Sequence, residues 1–347
     1  MQCDTAPRAP RRRRFVLGGA GFFLLTAAVF WWQFSRAEGV ALRWDELSWW
    51  YLPLLLLCVP LETLACSLRI WVIARVLEPG VRLSTCIRAE WAQVAVSTLT
   101  PTQSGGGPGQ IYVMHREGVG TGTAVTIMML SCLATMLAVL CLSLYVILAA
   151  AIDGSGRIVH GALWISTGLA TAMALLAVPH RTVRPASSRI VRWLGAFLDT
   201  YRHNMAHFFR RGKAAFALVL VLSLVFIVAR AVVAYLVVRF MGIEGSTFRQ
   251  ILEAQIVVLV VEFVAPTPGG AGVVEGASQV LMGAIVPPGQ APHYTLLWRF
   301  ATLYLPAVAG FVCLGRALLA DARPLRRART PRASADHIPR DTAARTA

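Results

Sequence analysis

The sequence predicts an all-α polytopic membrane protein, with about six transmembrane helices plus two re-entrant helical hairpins in an inverted repeat. Three observations predict it: the hydropathy of the chain, the placement of its basic residues, and a matched pair of Gly/Pro breaks. Of 347 residues, 56% are hydrophobic and 14% charged, and the mean hydropathy is +0.62. Soluble domains carry roughly 25% charge and 45–50% apolar residues, which excludes a water-soluble globule. Each helical crossing takes about 20 apolar residues plus a connection, so six or seven would consume most of the chain. No stretch remains for a separate catalytic domain.

The elements follow in order. Residues 1–14 form a basic N-terminus (Arg8, Arg11 to Arg14) ahead of an apolar run, Phe15–Phe34. Arg12-Arg13-Arg14-Phe15 faintly resembles a twin-arginine signal, but the run is long enough to span and another membrane segment follows, so an uncleaved first helix is expected. Trp49–Leu77 is the second crossing, opening on the aromatic girdle Trp49, Trp50 and Tyr51. Ser84–Leu99 is shorter and more polar, and runs into Thr100–Gly109, a Gly/Pro stretch that no regular helix is expected to accommodate. Gln110–Glu117 leads to a clean span, Thr121–Ala151, and a shorter one, Gly161–Val178. In residues 187–211, Ile190, Trp193, Leu194, Phe197, Tyr201, Met205 and Phe208 recur at helical spacing among arginines, predicting a basic amphipathic helix in the membrane interface. Ala214–Phe240 spans again. Thr247–Val264 is broken at Ala265–Gly272 before a short apolar piece, Val273–Val286. Leu296–Leu319 is the last crossing, closing a membrane domain of residues 15–322. Residues 323–347 read as a disordered Arg/Pro-rich cytosolic tail.

The two breaks read Pro101-Thr102-Gln103-Ser104-Gly105-Gly106-Gly107 and Pro266-Thr267-Pro268-Gly269-Gly270-Ala271-Gly272. Each follows a moderately polar helix, which itself follows a long span carrying arginine. Broken backbone at membrane depth is tolerated where protein or a polar cavity satisfies it, so two re-entrant hairpins are the economical reading. With both termini inside, the dense basic segments all fall on one side: five Arg at the N-terminus, eight basic residues from Arg181 to Lys213, and eight Arg from Arg316 to Arg345. The same count orients the two breaks oppositely, the inverted-repeat logic of alternating-access transporters. Eight full crossings remain compatible with this charge pattern. The net charge of +16 is thus assigned to membrane orientation, and nucleic acid is not an expected partner. Every basic residue but Lys213 is Arg, a composition expected of a bacterial cytoplasmic-membrane protein with a GC-rich genome. The seven cysteines form no CxxC and read as small apolar residues, with no metal or other cofactor expected.

The chemistry is expected at the breaks. A re-entrant hairpin brings a helix N-terminus with unpaired N–H groups to the bilayer midplane, where anions bind. Gly105, Gly106, Gly107, Gly269, Gly270 and Gly272 lack side chains and would let a headgroup phosphate approach the backbone, with Gln110 and Tyr112 adding hydrogen bonds. Pro101, Thr102, Pro266 and Pro268 of the same breaks are further candidate binding residues. Intramembrane charges signal buried partners or a polar path. Glu62, Arg69, Glu90, Arg230, Glu253, Glu262, Glu275 and Arg299 are the candidates, of which Arg69, Arg230 and Arg299 suit phosphate. For any one of them, structural ion pairing between helices is the commoner role. HExxH, GxSxG and GxxxxGK[ST] are missing, so no catalytic residue is named and no enzyme is expected.

The stretch from Pro266 through Glu275 to Gly276 resembles the signature of the lysylphosphatidylglycerol synthase transmembrane-domain family, also called flippase-like. Pro101, Gly105, Gly106, Pro108, Gln110 and Gly118 resemble a variant of its first break, and Arg299, Tyr304, Pro306 and Gly310 its last-helix pattern. The resemblance implies a polytopic lipid flippase domain with two re-entrant hairpins. The chain lacks the soluble aminoacyltransferase domain of the two-part enzyme, so lipid synthesis is not expected. It implies membrane lipids with an anionic or lipid-linked headgroup as partners, with a lipid-modifying enzyme or a second copy of the chain as further candidates. Translocation of a phospholipid or polyprenyl-linked headgroup is the expected function. The alternatives are a transporter of a small soluble substrate or ion, and a lipid-presenting accessory subunit of a glycosyltransferase or aminoacyltransferase.

Overall fold

The computed structural model describes residues 47–153 and 189–327, with single positions within 24–35 and 164–171. The first predicted span, the one over Gly161–Val178, and both chain ends lie outside the described residues. Ten α-helices follow in order: α1 (Tyr51–Leu77), α2 (Leu83–Ser97), α3 (Gly106–Arg116), α4 (Thr121–Asp153), α5 (Arg189–Arg211), α6 (Lys213–Phe240), α7 (Phe248–Val264), α8 (Val273–Met282), α9 (Ala291–Arg299) and α10 (Leu305–Arg327). A π-helical turn, Phe300–Tyr304, joins α9 to α10. Among the described residues, four helical stretches are long and apolar enough to cross a membrane: Tyr51–Leu77, Thr121–Leu148, Lys213–Phe240 and Ala291–Ala317. Trp49 and Trp50 stand exposed at the start of α1, Trp50 at 90%, as an interfacial girdle requires.

Both breaks separate helices that pack on each other. In the first, Gly106 lies against Ser97, Gly109 against Ala92, and Arg88 pairs with Glu117 at 3.2 Å. Contacts that rise along one helix and fall along the other make α2 and α3 antiparallel. α7 and α8 form the second packed pair. α7 starts on a capping box, in which the Thr247 N–H donates to Gln250 Oε1 at 3.0 Å and the Gln250 N–H to Thr247 Oγ1 at 3.3 Å.

Two boundaries differ from expectation for identifiable reasons. Gly106 to Gly109 form the first turn of α3 rather than a loop. A proline at the third helical position loses only an N–H that has no intrahelical acceptor. The glycines permit contact with α2, since a Cβ on Gly109 would sit 2.8 Å from the Ala92 carbonyl oxygen. α10 runs on to Arg327, five residues into the segment expected to be disordered.

Apolar chains gain little from burial against one another in lipid, so close approach of small residues governs helix packing there. Ala89, Ala92 and Ala95 of α2 are fully buried, and a Cβ on Gly310 of α10 would collide with the Trp91 carbonyl oxygen. The apolar core divides accordingly. One cluster joins the C-terminal half of α1 to α2, α3, α4 and α5, another joins the N-terminal half of α1 to α6, α7, α8 and α9, and a third lies between α4, α6 and α7. The predicted amphipathic helix exists as α5, with a difference in what covers it. Tyr201, Met205 and Phe208 pack into the first core against protein rather than lipid. A Cβ on Gly122 would touch Thr200 at 2.6 Å, and burial raises the Tyr201 phenol above its usual range, so it stays neutral. Cys141 is exposed on α4, unlike the buried Cys66 and Cys86, and the described cysteines are unpaired.

Candidate functional site: a charged cavity between two helix breaks

The second break is built by left-handed glycines. Gly269, Gly270 and Gly272 have φ of 59°, 73° and 84°, which costs an L-residue roughly 1–2 kcal/mol each. Glu275, in the first turn of α8, accepts from the Gly272 N–H at 2.6 Å. Arg299 of α9 reaches the same place. Its Nε donates to Glu275 Oε1 at 2.9 Å, its Nη1 to Glu262 Oε1 at 3.4 Å, and its Nη2 to the Gly269 carbonyl at 3.1 Å. Arg230 of α6 donates through Nη1 to Glu262 Oε2 at 2.8 Å. Its Nε lies 3.3 Å from Glu62 Oε1 of α1, an ion pair without hydrogen-bond alignment. Five charges therefore run Glu62–Arg230–Glu262–Arg299–Glu275 across α1, α6, α7, α8 and α9. Arg299 at 0% and Glu275 at 1% exposure are sealed within protein. Such pairs persist when each charge is matched and hydrogen-bonded, and removing one partner is costly.

The first break is built differently. Thr102 and Gln103 are non-glycine residues at φ 52° and 55°, a conformation that is rare for a β-branched residue. Thr102 is held there by its own N–H, which donates to the Ala265 carbonyl of the second break at 2.9 Å. Pro101 and Pro268 form an isolated antiparallel bridge. The two tips meet.

Between them lies a cavity of about 370 Å³. Arg69 of α1 donates to Thr135 Oγ1 at 2.6 Å and Ser223 Oγ at 3.4 Å. Among the described residues it makes no ion pair within 4 Å, although its charge acts on Glu90, and its Nε is unpaired. Phe226 lies 5.7 Å from the guanidinium carbons of both Arg69 and Arg230, separating them by an aromatic face. Glu90 of α2, Gln110 of α3 and Ser131 of α4 each leave a buried oxygen without a partner. Among the described residues no three His, Cys, Asp or Glu side chains converge as metal ligands.

Residues 16–310 match the profile of the lysylphosphatidylglycerol synthase TM region. The chain belongs to that family. No curated protein sequence matches it. The lysylphosphatidylglycerol synthase TM family ties this multi-pass membrane protein to lipid handling.

Of the sequence candidates, Glu62, Arg69, Glu90, Arg230, Glu262, Thr102, Gly106, Gly107, Gln110 and Gly269 line the cavity in this family member. The others stand elsewhere. Pro101 and Pro268 join the tips, and Gly105 donates its N–H to Thr100 Oγ1 at 2.8 Å. Pro266 is exposed, and Gly270 is packed against Val274. Gly272, Glu275 and Arg299 lie behind the wall, where Arg299 holds protein carboxylates instead of facing a phosphate. Tyr112 faces outward from α3 at 36% exposure. Glu253 pairs with Arg249 one turn away at 3.0 Å. Sequence reasoning missed Gln93, Ser131, Thr135 and Phe226, all of which line the cavity. Ser131 and Thr135, four residues apart on an otherwise apolar span, carried the available signal.

Proposed function

We propose that this protein translocates the headgroup of a phospholipid or polyprenyl-linked lipid between leaflets of a bacterial cytoplasmic membrane, without catalysing a chemical step. The observation that carries this reading is the charged cavity enclosed by the meeting tips of two helix breaks in a membrane protein. A polar headgroup is stabilised there by groups that lipid tails cannot satisfy, while its chains remain in the bilayer. In this reading the α2–α3 and α7–α8 pairs are re-entrant from opposite leaflets, both termini are cytosolic, and the two halves expose the cavity alternately.

An adjoining groove favours a lipid over a soluble substrate. It has a volume of about 210 Å³, its lining from Leu47 to Leu305 is wholly apolar, and Val59 borders both spaces. The π-turn helps divide them, with Thr302 and Leu303 on the cavity and Phe300 and Ala301 on the groove. Reconstitution into liposomes with acyl-labelled phospholipids and a leaflet-selective quencher tests the reading. Accelerated exchange that is lost in Arg69→Gln is expected. No acceleration of any phospholipid or polyprenyl-linked lipid by folded protein would contradict it.

A further inference from the structure

The cavity's two sides differ in how far their charges are satisfied. On the side of α6 to α9, Arg230, Glu262, Arg299 and Glu275 neutralise one another through contacts of 2.8–3.4 Å, and the unaligned Arg230 Nε still has Glu62 at 3.3 Å. On the other side, α1 to α4 each bring one buried polar group to the cavity with an unpaired atom: Arg69 Nε, Glu90 Oε2, Gln110 Oε1 and Ser131 Oγ. All four residues are at least nine-tenths buried. Burying such groups unpaired is costly, so together they describe the ligand they lack.

Resting on the translocation reading, we infer that Arg69, Glu90, Gln110 and Ser131 form a subsite for a neutral zwitterionic headgroup of the phosphoethanolamine type, one phosphate with one primary ammonium. The stoichiometry follows from the charges. One guanidinium lacks a carboxylate and calls for one anionic acceptor, which phosphate supplies. One carboxylate with an open oxygen calls for one cation. Glu90 and the Gln110 carbonyl oxygen are acceptors only, so the cation must bring N–H donors. A primary ammonium has three and a quaternary ammonium none. Gly106 and Gly107 line the same space and lie in the first turn of α3, whose N–H groups have no intrahelical acceptor. An anionic glycerol headgroup brings no ammonium to the open Glu90 oxygen and adds a negative charge beside it.

The test uses the full chain in liposomes with acyl-labelled phosphatidylethanolamine, phosphatidylglycerol or phosphatidylcholine, and, separately, purified protein titrated with glycerophosphoethanolamine or glycerol phosphate. Phosphatidylethanolamine is expected to exchange at least about tenfold faster than the other two. Glu90→Gln should abolish that preference, and Glu90→Asp should restore part of it if the first variant folds poorly. Exchange without preference, or a preference for phosphatidylglycerol, overturns the subsite and leaves translocation standing. If no lipid moves, translocation falls and the soluble fragments decide. Binding of glycerophosphoethanolamine over glycerol phosphate, lost in Glu90→Gln, keeps the subsite as one for a free phosphoethanolamine compound. No such binding overturns it.

Discussion

The two helix breaks look alike in sequence and do different work. The α7–α8 break uses three left-handed glycines and ties Glu275 and Glu262 to Arg299. The α2–α3 break holds Thr102 and Gln103 in the left-handed region and leaves the groups around it, Arg69 and Glu90 among them, open to the cavity. One break is wired to its own half of the protein. The other is braced by its neighbour, through the Thr102 N–H and the Ala265 carbonyl. The same kind of residue thus has opposite roles depending on whether a partner of opposite charge lies within reach.

The largest effect that would break this comparison lies at Arg299. Arg299→Ala strands the buried Glu275 and leaves Glu262 to Arg230 alone, and should cost on the order of 3–5 kcal/mol, read as a collapse of thermal stability in detergent. A variant as stable as the parent would show that the network is not structural. Next, Gly310→Ala drives a methyl into the α2 backbone at Trp91. Overpacking of this kind costs about 1–3 kcal/mol, measurable as a lowered melting temperature. Arg69→Gln breaks no direct ion pair, and Glu90 keeps Arg230 as a second cation, so its stability loss should stay near about 1 kcal/mol while lipid exchange falls at least tenfold. Equal losses at Arg69 and Arg299 in both assays would erase the distinction. The smallest effect is expected at Thr102→Gly. Relief of about 1–2 kcal/mol of left-handed strain, offset by about 0.5–1 kcal/mol of glycine's entropy, should stabilise the protein by about 0–1.5 kcal/mol. A clear destabilisation would place the strain elsewhere.

Much of this was legible in sequence because it depends on runs and breaks. The spans over Tyr51–Leu77 and Lys213–Phe240, the two Gly/Pro interruptions and the family all follow from local composition. Arg69, Arg230 and Glu262 were found as intramembrane charges, and they line the cavity. Arg299 and Glu275 carry the same chemical signature and lie behind the wall. Which face of a helix meets the cavity depends on rotation about its axis, which helical spacing fixes only where one face is clearly polar. α5 forms as expected, but its packing was harder to read for a related reason. Its apolar stripe is evident, but whether lipid or α4 covers that stripe depends on where the chain returns. The helical start at Gly106 was hidden because glycine and proline favour turns generally, and here serve close packing on α2.

The most direct measurement locks the two tips together. Pro101 and Pro268 are paired across an antiparallel bridge, which sets Cα atoms roughly 4.5–5.5 Å apart, within disulfide reach. With the native cysteines replaced, Pro101→Cys combined with Pro268→Cys should crosslink on oxidation and arrest lipid exchange, and reduction should restore it. Complete crosslinking with exchange unchanged, or failure of the folded protein to crosslink, would contradict a headgroup passage between the two breaks.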